Sequence, residues 1–535
     1  MRFRILVILV GIVFAAVYTT EGFLFRDYNE DEFQVASGYL KDQQDALYQR
    51  DFIWSKADMV RNLHVCVRGF MRVTEWITFG VFKEPIDLFL VWLPMCVFLF
   101  FVGNYLLCLR FTGNSLASLL IACSFMLVRR TIWDWWGVGP IFTMSARGLA
   151  LSLLPLALWA YFQCRGHLGY LAGWFFLWGL VSNLHPLSGW GFVELLGVTI
   201  LVSEHFSSRA LTKVVVIGIA TLIGSIPFLW MWSRVVMIPP ELQADPAIVK
   251  KFWDSFMGLE LPRAIFIRQF LMDLAIPLLL AVGGFIFWCR KGRRGDLYEM
   301  RLLYLFPAVV ILMTLLVMVL GSVLRYAGVS LPVMVPEHGR NIKMIYLILP
   351  VWMAFGVVGW LRSSVSTSVW WRYGPVMIVL FFSMIINFPG HKLARSVLAK
   401  VGLLSATSFQ RLLEVRREDA ADLEVALWAR KHTPVDALFY FDSYEFRYYA
   451  RRSLVFCWFD RPCVAFRPAR ELEEWLRRRD RLKPLKDVQD GSGMLIVARD
   501  YGAQFLVVLN TWKQPEGKTV WSNWKYSVYE VSGEL

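Results

Sequence analysis

Between Arg26 and Phe33 the chain sets four carboxylates in six residues, Asp27, Glu30, Asp31 and Glu32. Carboxylates this close together suit two kinds of chemistry, taking the proton from an attacking hydroxyl or holding a divalent cation. The same residues also satisfy a plain helix start. Asn29 is a good N-cap, Glu30 to Glu32 fill the first turn where the macrodipole favours negative charge, and Phe33, Ala36 and Leu40 supply an apolar stripe. Opposite charges recur in distant loops: Arg129 and Arg130 ahead of Trp133, Trp135 and Trp136; His185 within Asn183-Leu184-His185-Pro186; and His338-Gly339-Arg340-Asn341 with Lys343. Arginine pairs with phosphate bidentately and a neutral histidine donates to a phosphate oxygen. Arginine and tryptophan also gather at the headgroup level of a membrane as anchors, a reading as good for Arg129 and Arg130. His185 and Arg340, in turns holding Pro or Gly, favour a ligand role. The candidate catalytic residues are therefore Asp31, Glu32 and Asp27, and the candidate phosphate-binding residues Arg129, Arg130, His185, His338, Arg340 and Lys343.

The rest of the chain must carry these groups to one place. Of its 535 residues 57% are hydrophobic, and the mean hydropathy of +0.49 marks a polytopic membrane protein. Met1-Arg2-Phe3-Arg4 precedes an apolar run at Ile5–Ala16, which fits a cleaved signal peptide or a first span. Further apolar segments fall at about 86–109, 115–128, 144–163, 168–182, 190–203, 211–232, 271–289, 302–324, 344–361 and 374–388. The count is about 11 spans, several shorter than the ~20 residues of a perpendicular helix. With a cytoplasmic N-terminus, the inner connections carry Arg110, Arg165, Arg209 with Lys213, Arg290-Lys291-Gly292-Arg293-Arg294, and Arg362 with Arg372. These loops are short and basic, as the positive-inside rule requires. They account for the net charge of +14 without nucleic acid. Charge is nearly absent from the span interiors, which argues against an ion-coupled transporter. The expected location is a cell (inner) membrane, with the C-terminal region extracytoplasmic.

Two domains are expected: a transmembrane domain over 1–388, whose first outer loop (21–85) holds the acids, and an α/β domain over 389–535. The fold class is thus α-helical polytopic, with a small C-terminal α/β domain. In the latter, strands are expected at Ala437–Phe441, Leu454–Phe459, Met494–Ala498 and Phe505–Leu509, with an edge strand at Trp524–Val531. Helices are expected at 420–432, ended by Thr433-Pro434, at Tyr444–Ala450 and at Glu471–Arg479. Asn62–Gly80 has the spacing of an amphipathic helix lying on the membrane, which packing also explains. Loop 233–270 has the length of a lid or an interfacial helix. Cys457 and Cys463 fit either a small disulfide loop or two buried thiols.

The arrangement resembles the GT-C superfamily of polytopic membrane glycosyltransferases. The likeness rests on Asp31-Glu32-Phe33 directly after the first span, similar to the D-E-aromatic pattern of dolichyl- or polyprenyl-phosphate-sugar enzymes, on the span count, and on the outer α/β domain. Trp428-Ala429-Arg430-Lys431-His432-Thr433-Pro434-Val435-Asp436-Ala437-Leu438-Phe439 looks like a segment of some bacterial GT-C-like proteins, continued by Phe446-Arg447, Arg452-Ser453 and Glu474-Trp475. Asp51-Phe52-Ile53-Trp54 stands where such enzymes carry a Pro-containing stretch, here without the Pro. The resemblance implies a polyprenyl-phosphate-sugar donor, an acceptor of unstated kind, membrane lipids as partners, and transfer with inversion at the outer face, Asp31 serving as base. It implies no cofactor, although the Asp27, Asp31 and Glu32 cluster leaves a divalent cation open. Two other readings stand beside it: a lipid-linked glycan transporter or handler, and a non-catalytic GT-C-like membrane scaffold.

Overall fold

The computed structural model describes residues 2–25, 28, 30–55, 65–127, 146–236, 245, 247–249, 251–252, 282–283, 286, 297–326, 344–345, 347–363, 406–460, 464 and 469–531. Its longer helices are α1 (Arg2–Phe25), α2 (Glu30–Gln43), α3 (Val65–Ile77), α4 (Leu93–Thr112), α5 (Ser115–Leu127), α6 (Ala146–Ser152), α7 (Leu154–Cys164), α8 (Leu168–Ser182) and α9 (Pro186–Ser203). They continue as α10 (Ser208–Gly224), α11 (Ile226–Val236), α12 (Leu297–Tyr326), α13 (Leu349–Ser363), α14 (Ala406–His432), α15 (Tyr444–Ala450), α16 (Ala469–Asp487) and α17 (Gly491–Asp500). The chain forms two compact units: Met1–Asp27, Phe89–Phe228 and Glu260–Val397 make the first, and Tyr28–Leu88, Leu229–Leu259 and Leu398–Leu535 the second.

The first unit is helical. Helix α1 runs well past the expected Ile5–Ala16, because its polar residues do not break it: Thr19 returns its hydroxyl to the Ala15 carbonyl at 2.6 Å, and Glu21 is buried. Apolar on all sides, it leaves Ile5, Leu9, Ile12 and Val13 uncovered, as a lipid-facing helix does. Among the described residues, Phe3–Phe23, Pro85–Thr112 and Pro186–Ser203 are long and apolar enough to cross a membrane. The expected span at 211–232 is instead a bent pair, α10 and α11 meeting at 68°. Pro227 cannot donate to the preceding turn, and Asn183 holds the break from outside. Its amide donates to Gly224 O at 2.9 Å, and its oxygen accepts from Phe228 N at 2.9 Å. The 144–163 segment is likewise divided, into α6 and α7. The expected span at 374–388 lies outside the described residues.

Helices α8 and α10 cross with their backbones in contact. A Cβ on Gly179 would stand 2.4 Å from Thr221 O, and one on Gly224 would stand 2.3 Å from Phe176 O, so only glycine permits this approach. Near the ends of α4, α7 and α10, three cations expected in inner loops meet one acidic and aromatic cluster. Glu299 takes Arg110 at 2.5 Å and Arg165 at 3.0 Å, while Arg165 and Lys213 lie over the Tyr298 ring.

The second unit is built on a five-stranded sheet of order β2-β1-β3-β5-β4, comprising β1 (Leu438–Tyr440), β2 (Ser453–Leu454), β3 (Phe505–Leu509), β4 (Thr519–Ser522) and β5 (Tyr526–Glu530). The β1 strand runs parallel to β2 and β3; the β3–β5 and β5–β4 pairs are antiparallel. Phe439, Phe441, Phe446, Leu454, Val507 and Val528 fill its core against Val425, Ala426 and Ala429 of α14. Met494–Ala498 is helical, within α17, rather than a strand, and the run expected as an edge strand is β5, flanked on both sides.

Candidate functional site

Helix α2 begins five positions after α1 ends, and Glu30, Asp31 and Glu32 form its first turn. Glu32 is only 1% exposed. Beside it Tyr28, also buried, donates its phenol to Asp87 Oδ1 at 2.5 Å. Burial, the bond to Asp87, and the charges of Asp87 and Glu32 together push the Tyr28 phenol far above its ordinary range, so it stays a proton donor. Phe33 fixes the other side of the turn. Its ring lies 5.4 to 5.7 Å from those of Tyr444, Tyr448 and Tyr449 and meets Tyr28 edge-on at 6.0 Å. The Tyr448 hydroxyl in turn donates to Glu84 at 3.1 Å and accepts from Ile86 N at 3.2 Å. The result is a corner of buried carboxylates and a protonated phenol, with an aromatic wall packed against the acidic turn.

A second polar centre lies under residues 48–54. Asp51 accepts at one oxygen from Ile53 N and Trp54 N, at 2.9 and 3.0 Å, and at the other from Leu454 N and Arg447 Nε, at 2.8 and 2.9 Å. Arg447 turns its remaining nitrogens to Asp460 in a bidentate pair at 2.7 and 2.8 Å. Burial alone would favour the neutral guanidine, but Asp460 and Asp51 outweigh it and raise the pKa of Arg447 above its usual value. The four residues Asp51-Phe52-Ile53-Trp54 and the Phe446-Arg447 pair thus do structural work, joining the first polar loop to the sheet. Arg452 has a comparable role. It donates to Thr433 O at 2.6 Å, Arg430 O at 2.9 Å and Thr433 Oγ1 at 3.0 Å, closing the C-terminus of α14 where Thr433-Pro434 ends it.

Of the other sequence-derived candidates, His185 is the N-cap of α9. Its Nδ1 accepts from Ser188 N at 3.3 Å. Asp27, Arg129, Arg130, His338, Arg340 and Lys343 lie outside the described residues, as does the side chain of Asp31. No group of three or more His, Cys, Asp or Glu placed to hold a metal ion occurs among the described residues. Cys457 is buried, and Cys463 lies outside the described residues. Sequence reasoning passed over Glu21, Tyr28 and Glu84. A buried acid in the last turn of an apolar helix is costly, and extending the first helix to Phe25 was the signal that would have exposed Glu21. In the first unit, α1 and α4 flank an open apolar groove of about 690 Å³, with Ala16, Thr20 and Phe23 on one side and Pro94, Met95 and Phe98 on the other.

Comparison with known proteins gives a family match for part of the chain: residues 420–482 fit the family described as "Domain of unknown function (DUF6798)". This stretch holds the end of α14, β1, α15, β2, Arg447 and Asp460. No curated protein sequence matches the chain. Among solved structures, the chain is similar to the oligosaccharyltransferase of Archaeoglobus fulgidus in complex with Zn and sulfate, with 10% identity, TM-score 0.45, and coverage of 94% of this chain and 68% of that one. It is also similar to the oligosaccharyltransferase AglB from Archaeoglobus fulgidus in complex with an inhibitory peptide and a dolichol-phosphate, with 11% identity, TM-score 0.37, and coverage of 94% and 69%.

Proposed function

We propose that the protein is a membrane glycosyltransferase of GT-C type, moving a sugar from a polyprenyl-phosphate donor to an acceptor hydroxyl at the outer face of the membrane. The observation that carries this reading is the acidic first turn of α2: it follows an apolar helix within five positions and is held rigid by buried Tyr28, Glu32, Asp87 and Phe33. A general base must be fixed to within a fraction of an ångström to be effective, and this turn is fixed on two sides. Asp31 takes the acceptor proton as the acceptor oxygen bonds to the anomeric carbon. The bond from that carbon to the phosphate oxygen breaks with inversion, and polyprenyl phosphate leaves with the electron pair. Glu32, enclosed, is a positioning residue beside Tyr28, and Asp27 extends the acidic edge. The departing phosphate is met by Arg129, Arg130, His185, His338, Arg340 and Lys343, the electrostatic share of the catalysis. The groove between α1 and α4 has the lining to hold the lipid tail. A divalent ion at the acids would act at the same step.

The test uses the full chain in nanodiscs with a panel of polyprenyl-phosphate sugars, reading donor consumption and donor binding separately. Asp31→Asn should lower turnover by about 10²–10⁴-fold, the range for losing a general base, while donor binding stays. Turnover equal to the unaltered protein would remove Asp31 from the reaction. Donor binding without turnover in either protein would favour the handler or scaffold reading.

A further inference from the structure

Helix α3 has two apolar faces, and only one is used. Val67, Met71 and Thr74 are buried with Arg68, which reaches Asp42 of α2 at 3.4 Å, while Glu75 receives the Tyr39 hydroxyl. On the remaining surface Val73 and Ile77 are exposed and Trp76 is 79% exposed. Just beyond the helix, Phe79 is 92% and Val81 74% exposed. Five large apolar side chains in nine residues are uncovered here, flanked by exposed Lys83 and by Arg72, which is exposed although one of its nitrogens lies 3.6 Å from Asp42. The turn that displays them is itself strained. Phe79 has φ +52° and Gly80 φ +66°, closed by Gly80 N donating to Glu75 O at 3.1 Å and Phe79 N to Trp76 O at 3.2 Å. Glycine tolerates that conformation, but a bulky aromatic residue does so poorly, and the fold gives this one almost no packing in return.

We infer that this tip, Trp76 to Val81, is a membrane-interface anchor, seated among lipid headgroups with Arg72 and Lys83 on anionic lipid phosphates. The chain itself argues for lipid over protein. Val81 is four residues from Pro85, where a stretch long and apolar enough to cross the membrane begins. Residues 85–88 still belong to the second unit, so the apolar stretch leaves it at Phe89; the eight residues from Val81 to Phe89 span at most ~29 Å, and the chain itself keeps the tip near the bilayer. Indole and phenyl rings with flanking cations are the side chains that settle at that depth. Packing accounts for the buried face of α3, as expected from the spacing of Asn62–Gly80, and the membrane accounts for the other. In terms of the proposed transferase reading, on which this clause alone rests, the anchor sets the height of the acidic turn, because α3 is tied to α2 through Asp42 and Tyr39.

The experiment places an environment-sensitive fluorescent amino acid at position 79 of the full chain, and at position 488 as a control, since Val488 is 71% exposed in the same unit. Each protein goes into nanodiscs of brominated phosphatidylcholine and phosphatidylglycerol. The expected result is several-fold stronger quenching by bromolipid at 79 than at 488, with shielding from aqueous iodide. Arg72→Glu with Lys83→Glu should abolish the extra quenching that anionic lipid gives. Free quenching by iodide at 79, with bromolipid quenching no greater than at 488, would overturn the anchor. So would shielding from both quenchers, which would mean that a protein surface or a second copy covers the patch. Asp31→Ala should leave the bromolipid signal unchanged, so failure of the catalytic proposal and failure of this one read out separately.

Discussion

Arg447 sits between Asp51 and Asp460 with all three side chains buried, so each group depends on the others for its charge. Removing one member of such a set strands the rest and costs about 3–5 kcal/mol. Arg447→Met should therefore destabilise the detergent-solubilised chain by that much, read as a lowered thermal midpoint, and adding Asp460→Asn should restore part of it by removing a stranded charge. A second expectation concerns pH. Burial lifts the phenols of Tyr28, Tyr48 and Tyr448 well above the ordinary value of 10.0. Below pH 10 both folded and unfolded chains are protonated there, and the contribution to stability is complete. Above it the unfolded chain releases protons that the folded chain retains, so stability falls as pH rises. Phenolate absorbance followed with circular dichroism should show these tyrosines ionising together with unfolding, not before it. Little of this was legible in the sequence: the acidic turn stood out because its charges are neighbours, whereas Asp51 and Arg447 lie 396 positions apart and no local pattern links them.

Elements were legible where periodicity and punctuation agreed. Tyr444–Ala450, β3 and the end of α14 at Thr433-Pro434 all fall where expected. Met494–Ala498 did not, because a short aliphatic run reads the same as a buried strand and as the buried face of a helix. What decides it is context: Asp490 starts a helix, and Gly491 allows a close approach to the Lys513 carbonyl, which a Cβ would meet at 2.5 Å. In the apolar helices of the first unit the equivalent hidden information is the crossing at Gly179. Gly179→Ala should cost about 1–3 kcal/mol by forcing α8 off α10. Gly173→Ala on the same helix, where a Cβ meets nothing within 4 Å, should be neutral or slightly stabilising. Thermal unfolding of the two variants side by side checks the pair.

For the molecule as a whole, composition and loop charge were enough to identify a membrane protein, and the described apolar helices agree. The way the chain distributes itself between units was not readable, because it depends on long-range pairing. The second unit draws on three separate stretches of sequence, and its early stretch is bound into place by residues from its last one. This has a consequence for biosynthesis. Asp51 leaves the ribosome hundreds of residues ahead of the arginine that neutralises it, so the early polar segment must wait, unfinished, while the intervening helices are made. A stretch translated far later is what completes the first polar loop. A chain that stops short of Arg447 would display that loop open, a ready signal for proteolytic clearance.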